Sequence, residues 1–106
     1  MANRFQALEV TWLEEPMNRG DVFDHARLRE TVEIKITGGE GDRGLPMFAK
    51  YLRHGSFDIL QPEPMNCGGL STTKKVAAMA EGFGVDCVPH GTHGLRLASR
   101  LQIEAT

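Results

Sequence analysis

Residues 57–90, FDILQPEPMNCGGLSTTKKVAAMAEGFGVDCVPH, carry the pattern that decides the fold class. Apolar runs at 57–60 and 85–88 are each followed within two residues by Pro, which indicates strands. Between them, apolar side chains recur at spacings of three and four and predict a helix. These side chains are Val76, Ala77, Met79, Ala80 and Phe83. A strand, a helix and a second strand in succession predict two parallel strands joined by a right-handed crossover.

The rest of the chain repeats this alternation. Further strand-like runs lie at residues 10–13 and 32–36. Three other segments have helical spacing, marked by Val22, Phe23 and Ala26, by Met47, Phe48, Tyr51 and Leu52, and by Leu95, Leu97, Ala98 and Leu101. The order β-α-β-α-β-α-β-α predicts an α/β fold with four parallel strands, in a single domain that spans residues 1–106.

Composition excludes several classes of protein. Of the 106 residues 41% are hydrophobic, too many for a disordered chain, and no apolar run approaches the roughly 18 residues of a membrane span. The net charge of −2 argues against a nucleic-acid partner. The N-terminus lacks the apolar segment of a signal peptide, and two cysteines are too few for a disulfide framework. We therefore expect a cytoplasmic protein.

Each predicted strand is followed by a polar side chain that could take part in chemistry. These side chains are Glu14, Glu40, Glu63 and His90. The carboxyl ends of parallel strands lie at one edge of the sheet, where ligands bind. Glu14 and Glu40 on neighbouring strands could share Mg²⁺, which prefers oxygen ligands. A carboxylate bonded to one imidazole nitrogen fixes the tautomer of the ring, so Glu63 could prepare His90 to act as a general base.

Strand parity predicts what lies beneath these polar ends, because side chains alternate between the two faces of a strand. The apolar residues expected to share a face with the site residues are Val10, Trp12, Ile34, Ile36 and Val88. We therefore expect an apolar inner face, as in a barrel. By the same rule Lys35 points away from Ile34 and Ile36, and it is a poor candidate for a base.

Five short motifs occur in a characteristic order along the chain. They are Trp12-Leu13-Glu14-Glu15-Pro16, Gly39-Glu40, Asp58-Ile59-Leu60-Gln61-Pro62, Gly68-Gly69 and Pro89-His90. With these motifs in this order, the chain resembles the mandelate racemase-like branch of the enolase superfamily, which includes many sugar-acid dehydratases. The resemblance begins near Ala7 and extends to the end of the chain. It implies a partial (β/α) barrel of about four βα units, similar to strands four to seven of the complete barrel.

The resemblance also implies roles for the four polar residues. Glu14 and Glu40 match metal-binding glutamates after the fourth and fifth strands, and His90 matches the catalytic base after the seventh. Glu63 stands where the family has the acid that pairs with this histidine. Members of the family abstract the proton α to a carboxylate, and Mg²⁺ stabilises the enediolate. The implied cofactor is Mg²⁺, bound weakly by two carboxylates, and the implied substrate is a small carboxylate or acid sugar.

Three departures from the family pattern limit what we expect of the chain. Glu63 replaces the usual Asp, and the extra methylene lengthens its reach by roughly 1.3–1.5 Å. The first metal ligand and the opposing lysine base have no counterpart in the sequence, and neither does the capping domain. We therefore expect a fragment or truncated homologue of an acid-sugar dehydratase or racemase that is inactive as an isolated chain. The alternative is a non-catalytic, self-associating or partner-binding βα module with a vestigial site.

An incomplete barrel also predicts self-association. Half a barrel leaves two unpaired strand edges, at residues 10–13 and 85–88, and unpaired edges pair readily with another chain. It leaves the apolar inner face uncovered as well. A two-fold dimer closes both edges at once, so we expect a homo-oligomer, with a dimer favoured.

Zinc is an alternative metal, because two cysteines and two histidines could serve as ligands. They are Cys67, Cys87, His90 and His93. Strand parity argues against this set, since it turns Cys87 towards the helices when His90 faces inward.

Some other polar and aromatic residues have structural interpretations. Ser71-Thr72-Thr73-Lys74 has the S-x-x-K spacing of some acyl-transfer enzymes, but a helix N-cap is the simpler interpretation. His25 and His54 lie in helical segments, where we expect them to be solvated. Trp12 and Tyr51 are expected in a core or an interface.

Overall fold

The computed structural model describes residues 4–5, 7–91 and 94–105. These residues form a four-stranded sheet flanked by helices. In chain order the elements are β1 (Trp12–Glu14), α1 (Val22–Thr31), β2 (Lys35–Gly38), α2 (Gly44–His54), β3 (Ile59–Leu60), α3 (Pro64–Cys67), α4 (Leu70–Gly82), β4 (Asp86–Cys87) and α5 (Gly94–Glu104). The sheet order is β1-β2-β3-β4 with every pair parallel. The predicted α/β fold of four βα units is confirmed.

The strands are shorter than the apolar runs that predict them. The run at 32–36 contains only the first residues of β2, because Val32 already caps the end of α1. Val32 and Ile34 are apolar because they pack against the core, not because they belong to the sheet. Two features of the segment between β3 and β4 also differ from expectation. The short helix α3 was not predicted, and Gly69 is the N-cap of α4, so the Ser71 N-cap prediction is wrong.

The register of the sheet shows which residues share a face. Residues paired across parallel strands point to the same side, and one such row runs through all four strands. This inner row consists of Trp12, Glu14, Lys35, Thr37, Ile59 and Asp86. The opposite row contains Leu13, Ile36, Leu60 and Cys87, and these residues contact the helical layer. The predicted orientation of Cys87 towards the helices is therefore correct.

The register corrects the predicted faces of β2. Ile34 and Ile36 were expected on the inner face, but they lie in the core, where they are 5% and 0% exposed. Lys35 lies on the inner face instead, with Nζ 3.7 Å from Oδ2 of Asp86. The alternation fails before Glu40 because Gly39 has a φ of +110°, a conformation that glycine adopts readily.

The core lies between the sheet and the helices. Phe48 and Tyr51 of α2 and Val76 and Ala80 of α4 are its most buried helical residues. Burying such side chains stabilises the fold by about 1.5–3 kcal/mol for each large one. Tyr51 thus lies in the core, as expected.

The two histidines of the first helices differ in burial. His25 was expected to be solvated, but it is 1% exposed. Its Nδ1 lies 2.8 Å from the carbonyl oxygen of Asp21, and its ring packs 4.7 Å from that of Phe57. His54 is exposed, and its ring lies 4.9 Å from that of Phe23.

Among the residues that the structure describes, no helix is both long and apolar enough to cross a bilayer.

Candidate metal and acid-base site

The carboxyl ends of the strands bring the four predicted site residues together. Glu14 is the last residue of β1, and Glu40 lies two residues after Gly38, the last residue of β2. Glu63 is the N-cap of α3, and His90 follows β4. One ligand atom from each of Glu14, Glu40 and His90 lies within 4.8 Å of the other two. The sequence therefore predicted correctly that these side chains are neighbours.

His90 is held between two carboxylates. Its Nε2 lies 2.8 Å from Oε2 of Glu40, and its Nδ1 lies 3.3 Å from Oε2 of Glu63. The His90 backbone is fixed as well, because its N–H donates to the carbonyl of Pro62. The side chain is 23% exposed, so His90 is partly open to solvent.

Glu63 is the most buried residue of the site, with no exposed side-chain surface. Its Oε1 accepts the backbone N–H of Met65 at the start of α3. Its Oε2 also lies 3.9 Å from Nη1 of Arg96 on α5. A glutamate at this position therefore reaches the imidazole while it caps a helix, and its extra methylene does not break the contact with His90.

Glu15 and Arg19 support the site, although the sequence analysis assigned them no role. Arg19 Nη2 lies 3.0 Å from Oε2 of Glu15 and 3.4 Å from Oε1 of Glu40. Oε1 of Glu15 accepts the backbone N–H of Gly39. The hydrogen bond and charge of Glu15 raise the pKa of Arg19. The signal that could have revealed this pair is their spacing of four residues after a strand end.

Backbone conformation separates the two adjacent glutamates. Glu15 has a φ of +38°, which is uncommon for a residue with a side chain. Its N–H donates to the carbonyl of Thr37, which holds this turn against β2. Glu14 therefore stays in the inner row of the sheet, whereas Glu15 crosses the end of β2 to Gly39.

Glycine and asparagine fix the position of Glu40. A Cβ at Gly41 would overlap the guanidinium of Arg19, so a larger residue there would displace that side chain. On the other side, Nδ2 of Asn66 donates to the carbonyl of Glu40. The Glu40 side chain is thus held between the Arg19 guanidinium and the His90 imidazole.

Buried polar pairs lie beneath the site. Oγ1 of Thr37 donates to Oε1 of Gln61 at 2.7 Å, which joins the ends of β2 and β3. Tyr51 donates to Oδ2 of Asp42 at 2.9 Å. Burial raises the pKa of Asp42, and burial together with the charge of Asp42 raises the pKa of Tyr51.

The alternative zinc set is not assembled by the described residues. Cys67 is buried, with Sγ 3.0 Å from Oγ1 of Thr73. Burial raises the pKa of Cys87 to about 11, with a smaller contribution from Cys67, so its thiol stays protonated. His93 lies outside the described residues.

The donor set at the strand ends suits Mg²⁺. Glu14 and Glu40 offer carboxylate oxygens, the ligands that this hard cation prefers, and because Glu14 is exposed and Glu40 partly exposed, water can complete the coordination. These two residues fit the cation that the family resemblance implies. His90, with Glu63 behind it, fits a general base beside that cation.

Comparison with known protein families gives a match over the whole chain. Residues 1–106 match the family model described as enolase C-terminal domain-like.

Individual relatives extend this finding. The chain is 36% identical to D-galactarolactone cycloisomerase from Agrobacterium fabrum, over 99% of this chain and 28% of that protein. Among solved structures, it superposes on 3,6-anhydro-D-galactonate cycloisomerase from Zobellia galactanivorans with a TM-score of 0.91, at 32% identity, over 98% of this chain and 30% of that one. It also superposes on L-talarate dehydratase from Polaromonas sp. JS666, solved with Mg and L-glucarate, with a TM-score of 0.83, at 28% identity, over 94% of this chain and 28% of that one. The chain therefore spans less than a third of the length of these relatives.

Proposed function

This chain belongs to the enolase C-terminal domain-like family, and from this premise we propose that it carries the metal-binding and general-base part of an acid-sugar dehydratase, racemase or cycloisomerase site. In this proposal Glu14 and Glu40 bind Mg²⁺, His90 is the base, and Glu63 orients His90. The reaction class is abstraction of the proton α to a carboxylate.

One observation carries the proposal. Ligand atoms of Glu14, Glu40 and His90, which come from three different strand ends, lie within 4.8 Å of one another. A general base must lie within reach of the proton that it takes while the substrate is bound at the cation. The convergence of two carboxylates and one imidazole provides this arrangement. Solvated acidic residues at strand ends have no need to converge with a histidine.

The proposed base depends on its buried partner. An ionised carboxylate only accepts hydrogen bonds, so in the proposed tautomer Nδ1 of His90 carries the ring proton and donates a hydrogen bond to Glu63. The proton-accepting lone pair of the neutral ring is then on Nε2, the atom that faces Glu40. Nε2 takes the substrate proton, and the buried carboxylate of Glu63 stabilises the imidazolium that forms. Bound Mg²⁺ would supply positive charge for the developing negative charge on the substrate.

The exposure of the site to water limits the metal affinity and the catalytic activity that we expect of the isolated chain. Glu14 is exposed, and the side chains of Glu40 and His90 are 33% and 23% exposed. Water around these exposed side chains weakens the electrostatic interactions on which this chemistry depends. In our proposal the isolated chain therefore binds Mg²⁺ weakly, with a dissociation constant on the order of 10⁻³ M. It does not turn over acid sugars at a measurable rate.

A Mg²⁺ titration followed by NMR tests the metal assignment. We expect amide resonances near Glu14 and Glu40 to shift, and either Glu14→Gln or Glu40→Gln to weaken binding at least about tenfold. Glu81→Gln is the matched control, because Glu81 lies exposed on α4, away from the strand ends. Unchanged spectra at millimolar Mg²⁺, or equal effects of all three variants, would overturn the assignment.

Hydrogen exchange in deuterium oxide tests the predicted inactivity. We expect no incorporation at the α-carbon of galactonate, gluconate or mandelate above the rate in buffer. Incorporation that disappears in His90→Ala would show that the chain alone is catalytically competent, and that the inactivity is wrong while the base assignment is right.

A further inference from the structure

The position of His90 Nε2 allows this atom a second role. It lies 2.8 Å from Oε2 of Glu40, and on the other side of the ring Nδ1 lies 3.3 Å from Oε2 of Glu63. In the tautomer in which Nδ1 donates a hydrogen bond to Glu63, Nε2 carries a lone pair. A lone pair and a carboxylate oxygen at this distance repel each other unless a positive charge lies between them. A proton on Nε2 supplies such a charge, and so does a metal ion bound to both atoms.

The three donor atoms are close enough to bind one ion. Around a tetrahedral zinc ion, ligand atoms lie about 3.4 Å apart, since each is about 2.0–2.2 Å from the metal. The donors of Glu14, Glu40 and His90 are within 4.8 Å of one another. Glu14 is exposed, so its side chain is free to move the remaining distance.

The surroundings of His90 match those of a metal-binding histidine. Such a histidine almost always donates its second ring N–H to a carboxylate, a carbonyl or water, which fixes the tautomer and makes the ligating nitrogen more basic. Glu63 supplies this carboxylate from a fully buried position. Its own orientation is fixed by the N–H of Met65.

The chemistry of this donor set differs from that of the magnesium site. Two carboxylates suit Mg²⁺, whereas an imidazole suits zinc and other borderline divalent ions. We propose that Glu14, Glu40 and His90 form a three-ligand site for a borderline divalent cation such as Zn²⁺, with Glu63 as the supporting carboxylate. This proposal rests on the proposed function, because it uses the same two glutamates.

The consequence is competition between two uses of one atom. Mg²⁺ bound to the glutamates leaves Nε2 available as a base, but Zn²⁺ bound to all three residues occupies the lone pair of Nε2. The identity of the cation thus determines whether His90 can accept a proton. In any assembly where the site is active, Zn²⁺ inhibits it by taking the base as a ligand.

Parallel titrations with Zn²⁺ alone and Mg²⁺ alone test this inference. We expect His90→Gln to weaken Zn²⁺ binding at least about tenfold and to change Mg²⁺ binding less than twofold. In the unsubstituted chain, the Nε2 resonance of His90 should shift with Zn²⁺ and stay nearly constant with Mg²⁺. His54→Gln is the matched control, because His54 is exposed on α2 and lies away from the strand ends. Should His90→Gln fail to fold, the Nε2 resonance decides the question without a variant.

The outcomes separate the two proposals. If Mg²⁺ binds at Glu14 and Glu40 but Zn²⁺ binding does not depend on His90, this inference is overturned and the proposed function remains. If Zn²⁺ binds through His90 and Mg²⁺ does not bind, the inference holds and the magnesium assignment fails. If neither ion binds at these residues, both are overturned.

Discussion

Nδ1 of His90 lies 3.3 Å from Oε2 of Glu63, a side chain with no exposed surface. When Nδ1 carries the ring proton it donates a hydrogen bond to this carboxylate, and Nε2, the nitrogen that faces Glu40, keeps its lone pair. Glu63 also accepts a hydrogen bond from the backbone N–H of Met65. The carboxylate therefore cannot turn away from the ring without losing a helix cap. The proposed base role and the proposed zinc role of His90 both depend on this one contact.

Replacing Glu63 by Gln is expected to reverse the tautomer of His90. The glutamine side chain has nearly the same volume, and its oxygen can still accept a hydrogen bond from the backbone N–H of Met65. Its NH₂ group then faces Nδ1 of His90 and donates a hydrogen bond to it. Nε2 therefore carries the proton in the neutral ring, and Zn²⁺ affinity falls about 10–100-fold. Nitrogen-15 chemical shifts of the imidazoles measure the tautomer, with exposed His54 as the internal control. An unchanged His90 tautomer in Glu63→Gln would contradict the orienting role.

The buried pair of Tyr51 and Asp42 predicts an unusual alkaline titration. Tyr51 is the only tyrosine of the chain, so tyrosinate absorbance reports this residue alone. Its pKa is raised above the ordinary 10.0, chiefly by burial. A raised pKa in the folded state means that the contribution to stability is complete below about pH 10 and is lost as the pH rises further. We expect absorbance to change near pH 10 in concentrated urea and at clearly higher pH in the folded chain.

Asp42→Asn provides the control for this titration. It keeps an acceptor for the Tyr51 hydroxyl and removes the negative charge that contributes to the raised pKa. The folded-state midpoint of Tyr51 should therefore fall towards 10 without reaching it, because burial remains. A folded chain that titrates at the same pH as the unfolded one would show that Tyr51 is not buried beside Asp42.

The alternation of apolar runs predicted the architecture because each run is close to a strand or a helix face in the structure. Trp12 and Leu13, for example, belong both to the predicted and to the observed first strand. The order of strands follows because sequential strands joined by helices lie side by side with one handedness. The topology alone brings the polar residues at the strand ends together, so their proximity could be predicted without any knowledge of side-chain packing.

Two features could not be predicted from local pattern. The inner and outer faces of β2 were assigned by counting back from Glu40, and the positive φ of Gly39 invalidates that count. His25 was expected to be solvated because it lies in a helical segment, yet its ring packs against Phe57 in the core. For β2 the deciding feature is the backbone conformation of one glycine, which strand alternation does not predict, and for His25 it is a contact with a residue distant in the chain. The support of Glu40 by Arg19 depends on the same kind of tertiary contact.

Asp58 is expected to stabilise the fold from the end of the sheet opposite the site. Its carboxylate accepts from Nε of Arg29 at 2.6 Å and from the backbone N–H of Ile36 at 2.8 Å. Asp58→Ala leaves that N–H without its acceptor, so the free energy of unfolding should fall by about 1–3 kcal/mol. Urea unfolding monitored by circular dichroism measures the change.

Asp86→Ala is the matched control for Asp58, because both aspartates lie at neighbouring β-strands. Asp86 is 70% exposed on its side chain and lies 3.7 Å from Lys35, a distance and exposure typical of a weak ion pair. Its removal should cost no more than about 1 kcal/mol. Equal losses for the two variants would mean that the Ile36 hydrogen bond adds nothing to stability.

The two sheet edges and the exposed apolar side chains of Val10 and Trp12 predict that this 106-residue chain forms a two-fold dimer. Strands β1 and β4 stand at the ends of the described sheet, and Val10 and Trp12 are each 39% exposed. Pairing β1 of one copy with β4 of the other keeps all strands parallel and covers both inner faces. Sedimentation at micromolar concentration should give twice 11.7 kDa, and Trp12→Lys should give a folded monomer. Phe83→Lys, a similar change at an exposed position on the helical side, should leave the dimer intact. A folded 11.7 kDa species in the unsubstituted chain would contradict the pairing.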